Sequence, residues 1–108
     1  LALIGVYDWE RDHQQRLIVD IELSADLSEA ARTDDVNNTL NYAAIAQGIS
    51  NFAAKSDFKL IEALASHMAD WLLQSFPKLK TVRLKLSKPD ILANAKNVAV
   101  EFTKEQTF

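Results

Sequence analysis

Lys88, Glu62, Tyr42 and Glu10 are the side chains whose type and position invite chemistry. Lys88 closes an alternating segment and precedes Pro89, which restricts the backbone behind it. A lysine there is ordinarily solvated; partly desolvated, it can act as a proton-transfer base. Glu62 follows Ile61 in the first turn of a helical pattern, where the helix dipole favours a carboxylate without any further role. Beside an apolar stripe, the same carboxylate can accept two parallel hydrogen bonds from a planar, amidine-like ligand edge, as it does from a guanidinium. Tyr42 stands near the start of an earlier helical pattern, on its apolar side. A tyrosine so placed is most often core, its hydroxyl bonded to some neighbour. Glu10 follows Tyr7-Asp8-Trp9 at the end of a strand, and most acids in that position are simply solvated. The residues alone leave these alternatives open.

Composition removes other chemistries. The 108 residues include no cysteine, which excludes a disulfide framework, a thiolate metal site and a cysteine nucleophile. Two histidines, His13 and His67, are too few for a histidine-rich metal site, and no Gly-rich phosphate loop occurs. Neither metal nor cofactor is expected. Fifteen acids against 12 bases give a net charge of −3, so nucleic acid is not an expected partner. No apolar run approaches the roughly 20 residues of a membrane span, and no signal-peptide pattern opens the chain. The expectation is a cytoplasmic protein that does not bind membranes. With 48% apolar and 25% charged residues, positions 1–108 read as one globular domain.

The elements that must position these side chains follow from hydrophobic period. Leu1–Tyr7 is an apolar run and reads as a strand that starts upstream of Leu1; Asp8–Gln14 reads as a surface connection. From Gln15, Leu17, Val19, Ile21 and Leu23 alternate with Arg16, Asp20, Glu22 and Ser24, the period of a strand with one buried face. Ile18 is the one apolar residue on the polar side. Asp26–Asn38 is an acidic connection with room for one helical turn. Over Thr39–Lys55, Tyr42, Ile45, Ala46, Ile49, Phe52 and Ala53 form one helical face. A second helix spans about Leu60–Phe76, with Ile61, Leu64, Ala65, Met68, Leu72 and Phe76 as its stripe and Pro77 as its stop. Val82, Leu84 and Leu86 alternate in a third strand, Lys88-Pro89-Asp90 signals a turn, and Val98, Val100 and Phe102 alternate in a fourth. The order β-β-α-α-β-β predicts an α+β fold, with two helices on one face of a four-stranded antiparallel sheet. Arg16, Asp20, Glu22, Arg83, Lys85 and Glu101 fall on the other face. A half-wet sheet accounts for that face; a barrel interior, made when copies join edge to edge, is the sharper reading.

Ile4-Gly5-Val6-Tyr7-Asp8-Trp9-Glu10, Asp34-Asp35-Val36, Leu40-Asn41-Tyr42, Leu60-Ile61-Glu62, Leu86-Ser87-Lys88-Pro89 and Ala95-Lys96-Asn97-Val98 together resemble bacterial dihydroneopterin aldolases, in that family's order over nearly the whole chain. The chain departs from the family at its start, where members carry further residues that complete the first strand. The resemblance implies the tunnelling fold and a retro-aldol cleavage in folate synthesis. 7,8-Dihydroneopterin would give 6-hydroxymethyl-7,8-dihydropterin and glycolaldehyde, with epimerisation as a side activity and no cofactor. It also implies roles. Lys88 would be the acid–base residue, Glu62 would pair with the 2-amino and N3 edge of the pterin, and Ile61 would contribute its backbone. Tyr42 would stack near the ring and assist proton transfer, and Glu10 would orient the side-chain hydroxyls. The family's sites lie between subunits of a homo-octamer of two tetrameric rings. The alternatives are a dihydroneopterin triphosphate epimerase, which shares the fold, and a non-catalytic pterin-binding ring protein. Ser87-Lys88-Pro89 favours the aldolase.

Overall fold

The segments of strand period pair into one sheet, and the segments of helical period cover one of its faces. The computed structural model describes residues 2–10, 14–25, 32–34, 41–88 and 98–106. Its strands are β1 (Ala2–Glu10), β2 (Gln14–Ala25), β3 (Leu79–Lys88) and β4 (Val98–Glu105). Helices α1 (Tyr42–Lys55) and α2 (Ile61–Ser75) fall between β2 and β3 in the chain. The spatial order is β1-β2-β3-β4, and every neighbouring pair is antiparallel. This is the expected β-β-α-α-β-β plan.

Element ends differ from the expectation. β1 does not stop at Tyr7: Asp8, Trp9 and Glu10 pair with Arg16, Gln15 and Gln14. The ladder bonds are made by main-chain groups, so a hairpin continues through polar side chains that sequence polarity reads as a connection. β3 begins at Leu79, whose side chain is buried, and a register shift at Ser24/Ala25 absorbs the extra length. α1 starts at Tyr42, capped by Asn41, whose Oδ1 accepts from the Ala44 amide at 3.0 Å. The expected helical residues Thr39 and Leu40, the expected connection at 26–31 and 35–38, and the turn at Pro89-Asp90 lie outside the described residues. α2 ends at Ser75, because Pro77 disfavours helical backbone at Phe76 before it.

The core lies between sheet and helices. Leu17, Val19, Ile21 and Leu23 of β2 and Val82, Leu84 and Leu86 of β3 meet Ile45, Ile49 and Ala53 of α1. From α2 come Ile61, Leu64, Ala65, Met68 and Leu72, together with Ala69 and Leu73. The buried stripe of α2 is wider than its sequence period suggests because the helix packs on β3 and β4 and also against α1.

Side-chain ties fix the helix directions. Lys104 Nζ donates to the Ser66 carbonyl (3.1 Å), Ser66 Oγ (2.8 Å) and Asp70 Oδ1 (2.8 Å). Further along β4, Gln106 Nε2 donates to the Leu73 carbonyl at 2.8 Å. Helix and strand numbers rise together, so α2 runs parallel to β4. α1 returns the opposite way: the Phe52 ring lies 5.7 Å from that of Trp71, and Phe58, just past the helix end, lies 4.6 Å from the His67 ring. Gly48 lies under the same indole, where a Cβ would clash with Cη2. The two helix N-termini therefore lie at opposite ends of the layer.

The outer sheet face carries the expected charges. Glu22 lies opposite Arg83, Asp20 opposite Lys85, and Lys85 opposite Glu101. Arg83 donates to Glu101 and pairs with Glu22 at 3.6 Å. The hydrogen bond and charge of Glu101, then the charge of Glu22, raise its pKa above the usual guanidinium value. Toward one end this face turns apolar. Ile4 and Val6 of β1 are 67% and 64% exposed there, and Val6 lies opposite Ile18.

Candidate active site

Glu62 occupies the first turn of α2. Ile61 is 4% exposed and anchors that turn in the core, while Glu62 beside it faces solvent. Leu60 caps the helix without a side-chain hydrogen bond, and its carbonyl accepts the first helical bond from the Leu64 amide at 3.1 Å. The start of α2 thus combines a carboxylate, which only accepts, with first-turn amides, which only donate. Such a pairing suits the mixed donor–acceptor edge of a planar ring.

Lys88 is the last residue of β3 and lies opposite Val98. Alternation with Leu84 and Leu86 puts it on the helix-facing side, and it is half-buried. Because α2 runs parallel to β4, its N-terminus points toward this end of the sheet. Counting helix and strand rises back from the Lys104 ties leaves on the order of 10 Å along the sheet between the Glu62 and Lys88 backbones. That is room for a bicyclic ring with a short side chain. The Glu10 backbone closes β1 opposite Gln14, at the same end of the sheet; its side chain lies outside the described structure.

Tyr42 is not on the buried stripe of α1. It is 37% exposed, and the whole first turn, Asn41–Ala44, is exposed with it. Its sequence spacing from Ile45 is helical, but the buried stripe of α1 begins only at Ile45. Tyr42 and Glu62 begin helices that run in opposite directions, so roughly 20 Å, one helix length, separates them. Glu62, Lys88 and the Glu10 backbone gather toward one end of the molecule. Tyr42 belongs to the other.

Two residues near the site stand in the quoted motifs but were given no role of their own by sequence. Ser87 is 8% exposed on the outer sheet face, between Ile18 and Ala99, where a small side chain fits between strands. Tyr7 is half-buried on the helix-facing side of β1, and burial raises its phenol pKa. Its signal was the odd-numbered phase of Leu3, Gly5 and Tyr7 within the first apolar run. A concavity of about 730 Å³ lies elsewhere, on the outer side of the α1–α2 pair, lined in part by Phe52, Phe58, His67 and Trp71. None of the candidate residues lines it, and a site walled by two chains would leave no closed cavity in one.

A family model described as dihydroneopterin aldolase matches residues 1–103. A dihydroneopterin aldolase of Haemophilus influenzae is 46% identical over 99 residues, covering 92% of this chain and 83% of the relative. One from Escherichia coli is 43% identical over 100 residues, covering 93% of this chain and 81% of the relative. The crystal structure of Escherichia coli dihydroneopterin aldolase in complex with neopterin has a TM-score of 0.86 at 33% identity and covers 96% of each chain.

Proposed function

The chain belongs to the dihydroneopterin aldolase family, and from that premise we propose that it cleaves 7,8-dihydroneopterin at a site completed by a second copy of itself. Loss of the 2′-hydroxyl proton breaks the C1′–C2′ bond, and C2′ and C3′ leave as glycolaldehyde. The bond's electron pair moves into the ring's conjugated imine. Return of a proton at C1′ yields 6-hydroxymethyl-7,8-dihydropterin. The substrate supplies its own electron sink, so the protein needs only to hold the ring and move protons.

Glu62 takes the 2-amino and N3 donors of the pterin, with the Ile61 backbone beside it. Lys88 is the acid–base residue, Glu10 orients the side-chain hydroxyls, and Tyr42 of the neighbouring copy stacks near the ring and assists at C1′. The neopterin bound by the Escherichia coli relative supports a pterin as the ligand. The observation that carries the shared site is the separation of Tyr42 from Glu62 by a helix length, with the first turn of α1 exposed.

Sheet topology supports assembly into a ring. β1 and β4 are the two edges and run in opposite directions, so β1 of one copy can continue the antiparallel order beside β4 of the next. An edge strand with exposed Ile4 and Val6 is one that proteins ordinarily cover. Repetition of that pairing closes a ring, and two tetrameric rings make the octamer. We further propose that residues 1–108 act as one domain and that the enzyme works in the cytoplasm. No described helix is long and apolar enough to cross a membrane. Purified protein given 7,8-dihydroneopterin should release glycolaldehyde; pterin binding without release would contradict the aldolase reading.

A further inference from the structure

Glu62, Ser66 and Asp70 stand four residues apart on α2, so they form one ridge along the helix. Lys104 grips two of the three. It stands on the helix-facing side of β4, an edge of the sheet, and its Nζ lies 5.9 Å from the centroid of the Phe102 ring on the same face. From there it donates to the Ser66 carbonyl at 3.1 Å, Ser66 Oγ at 2.8 Å and Asp70 Oδ1 at 2.8 Å. An ammonium has three donors, and these acceptors use them all, so none is left to engage the Glu62 carboxylate one turn further on. The lysine side chain is 25% exposed, which separates this tie from the freely solvated pairs that contribute little.

The start of α2 needs such a tie. Its N-cap residue, Leu60, makes no side-chain hydrogen bond, whereas Asn41 caps α1 with one. Helix ends without a cap fray. Ile61 fixes the first turn by burial, which sets its depth but has no direction. The Lys104 bond to a main-chain carbonyl is directional and holds the helix itself, about 6 Å along the axis from Glu62. It sets the roll of α2, and hence where the ridge points its first member. We infer that Lys104 is a positioning residue for the reaction: through Ser66 and Asp70 it aims Glu62 at the pterin edge. The inference rests on the role of Glu62 proposed above and extends it to a residue that does not itself touch the ring.

The test is a double-mutant cycle read by neopterin affinity in titration calorimetry, with turnover and thermal unfolding measured on the same samples. Lys104→Met keeps the stem and removes the donors. It should weaken neopterin binding about tenfold, as for loss of one of the two bonds that Glu62 accepts, with kcat within about twofold. Lys104→Arg, which keeps charged donors, should recover most of the affinity. In a Glu62→Ala background, Lys104→Met should change affinity by less than about twofold, because a residue acting through Glu62 has nothing left to position. Gln106→Ala removes the tie to the Leu73 carbonyl at the far end of α2 and should lower Tm without changing affinity. Ser66→Ala/Asp70→Ala takes two acceptors away from the helix side; it should match Lys104→Met, and it decides the matter if Lys104→Met does not fold. Equal losses with and without Glu62, an equal loss in Gln106→Ala, or wild-type affinity in a folded Lys104→Met protein would overturn the positioning role alone. Wild-type protein that binds no neopterin would overturn the role of Glu62, and this inference with it.

Discussion

At Lys88 the question is whether the nitrogen attacks carbon or only moves protons. A Schiff-base lysine needs a carbonyl, whereas this substrate carries a ring imine conjugated to the breaking bond. Lys88→Ala should therefore lower turnover by at least about 100-fold, the lower end for general acid–base groups, and borohydride added during turnover should leave no adduct on the wild-type enzyme. A trapped adduct on Lys88 would replace proton transfer with an imine mechanism. Glu62 is a matter of binding. Two hydrogen bonds to a charged group, each worth about 1.5–3 kcal/mol, imply that Glu62→Ala weakens pterin affinity by at least about 100-fold in titration calorimetry. Near-normal affinity in a folded variant would remove it from this role. These two residues were legible because their positions, a helix start and a strand end, follow from local pattern. Tyr42 was not. Its spacing matches Ile45 and Ile49, and only the packed molecule shows that the first turn of α1 is exposed while burial begins at Ile45.

The elements were legible where one face is buried and blurred where main-chain bonding alone decides. β2 and the stripes of both helices follow hydrophobic period, and their residues form the core. The ends of β1 and β3 do not, since ladder bonds extend through polar and turn-adjacent residues without leaving a periodic mark. Asn41 caps α1: its side chain satisfies a first-turn amide. Asn41→Ala should cost about 1 kcal/mol in denaturant unfolding. Because the cap holds the turn that carries Tyr42, turnover should fall more than stability does. A variant as active and stable as wild type would show that the Tyr42 turn needs no such support.

The whole molecule has features that one chain leaves unfinished. The sheet has two open edges, the outer face mixes an Arg83–Glu22–Glu101 cluster with bare Ile4 and Val6, and the candidate residues are divided between its ends. The proposed ring would account for all three, through contacts that belong to two chains. The most direct measurement mixes two variants that should each be inactive, Glu62→Ala and Tyr42→Ala. The rings are dissociated, combined in equal amounts, reassembled and assayed for glycolaldehyde release. If each site takes Glu62 from one copy and Tyr42 from its neighbour, random mixing restores both residues in roughly a quarter of sites, and activity should recover to about that fraction of wild type. Mixed rings that assemble fully and remain as inactive as either parent would contradict a site shared between subunits.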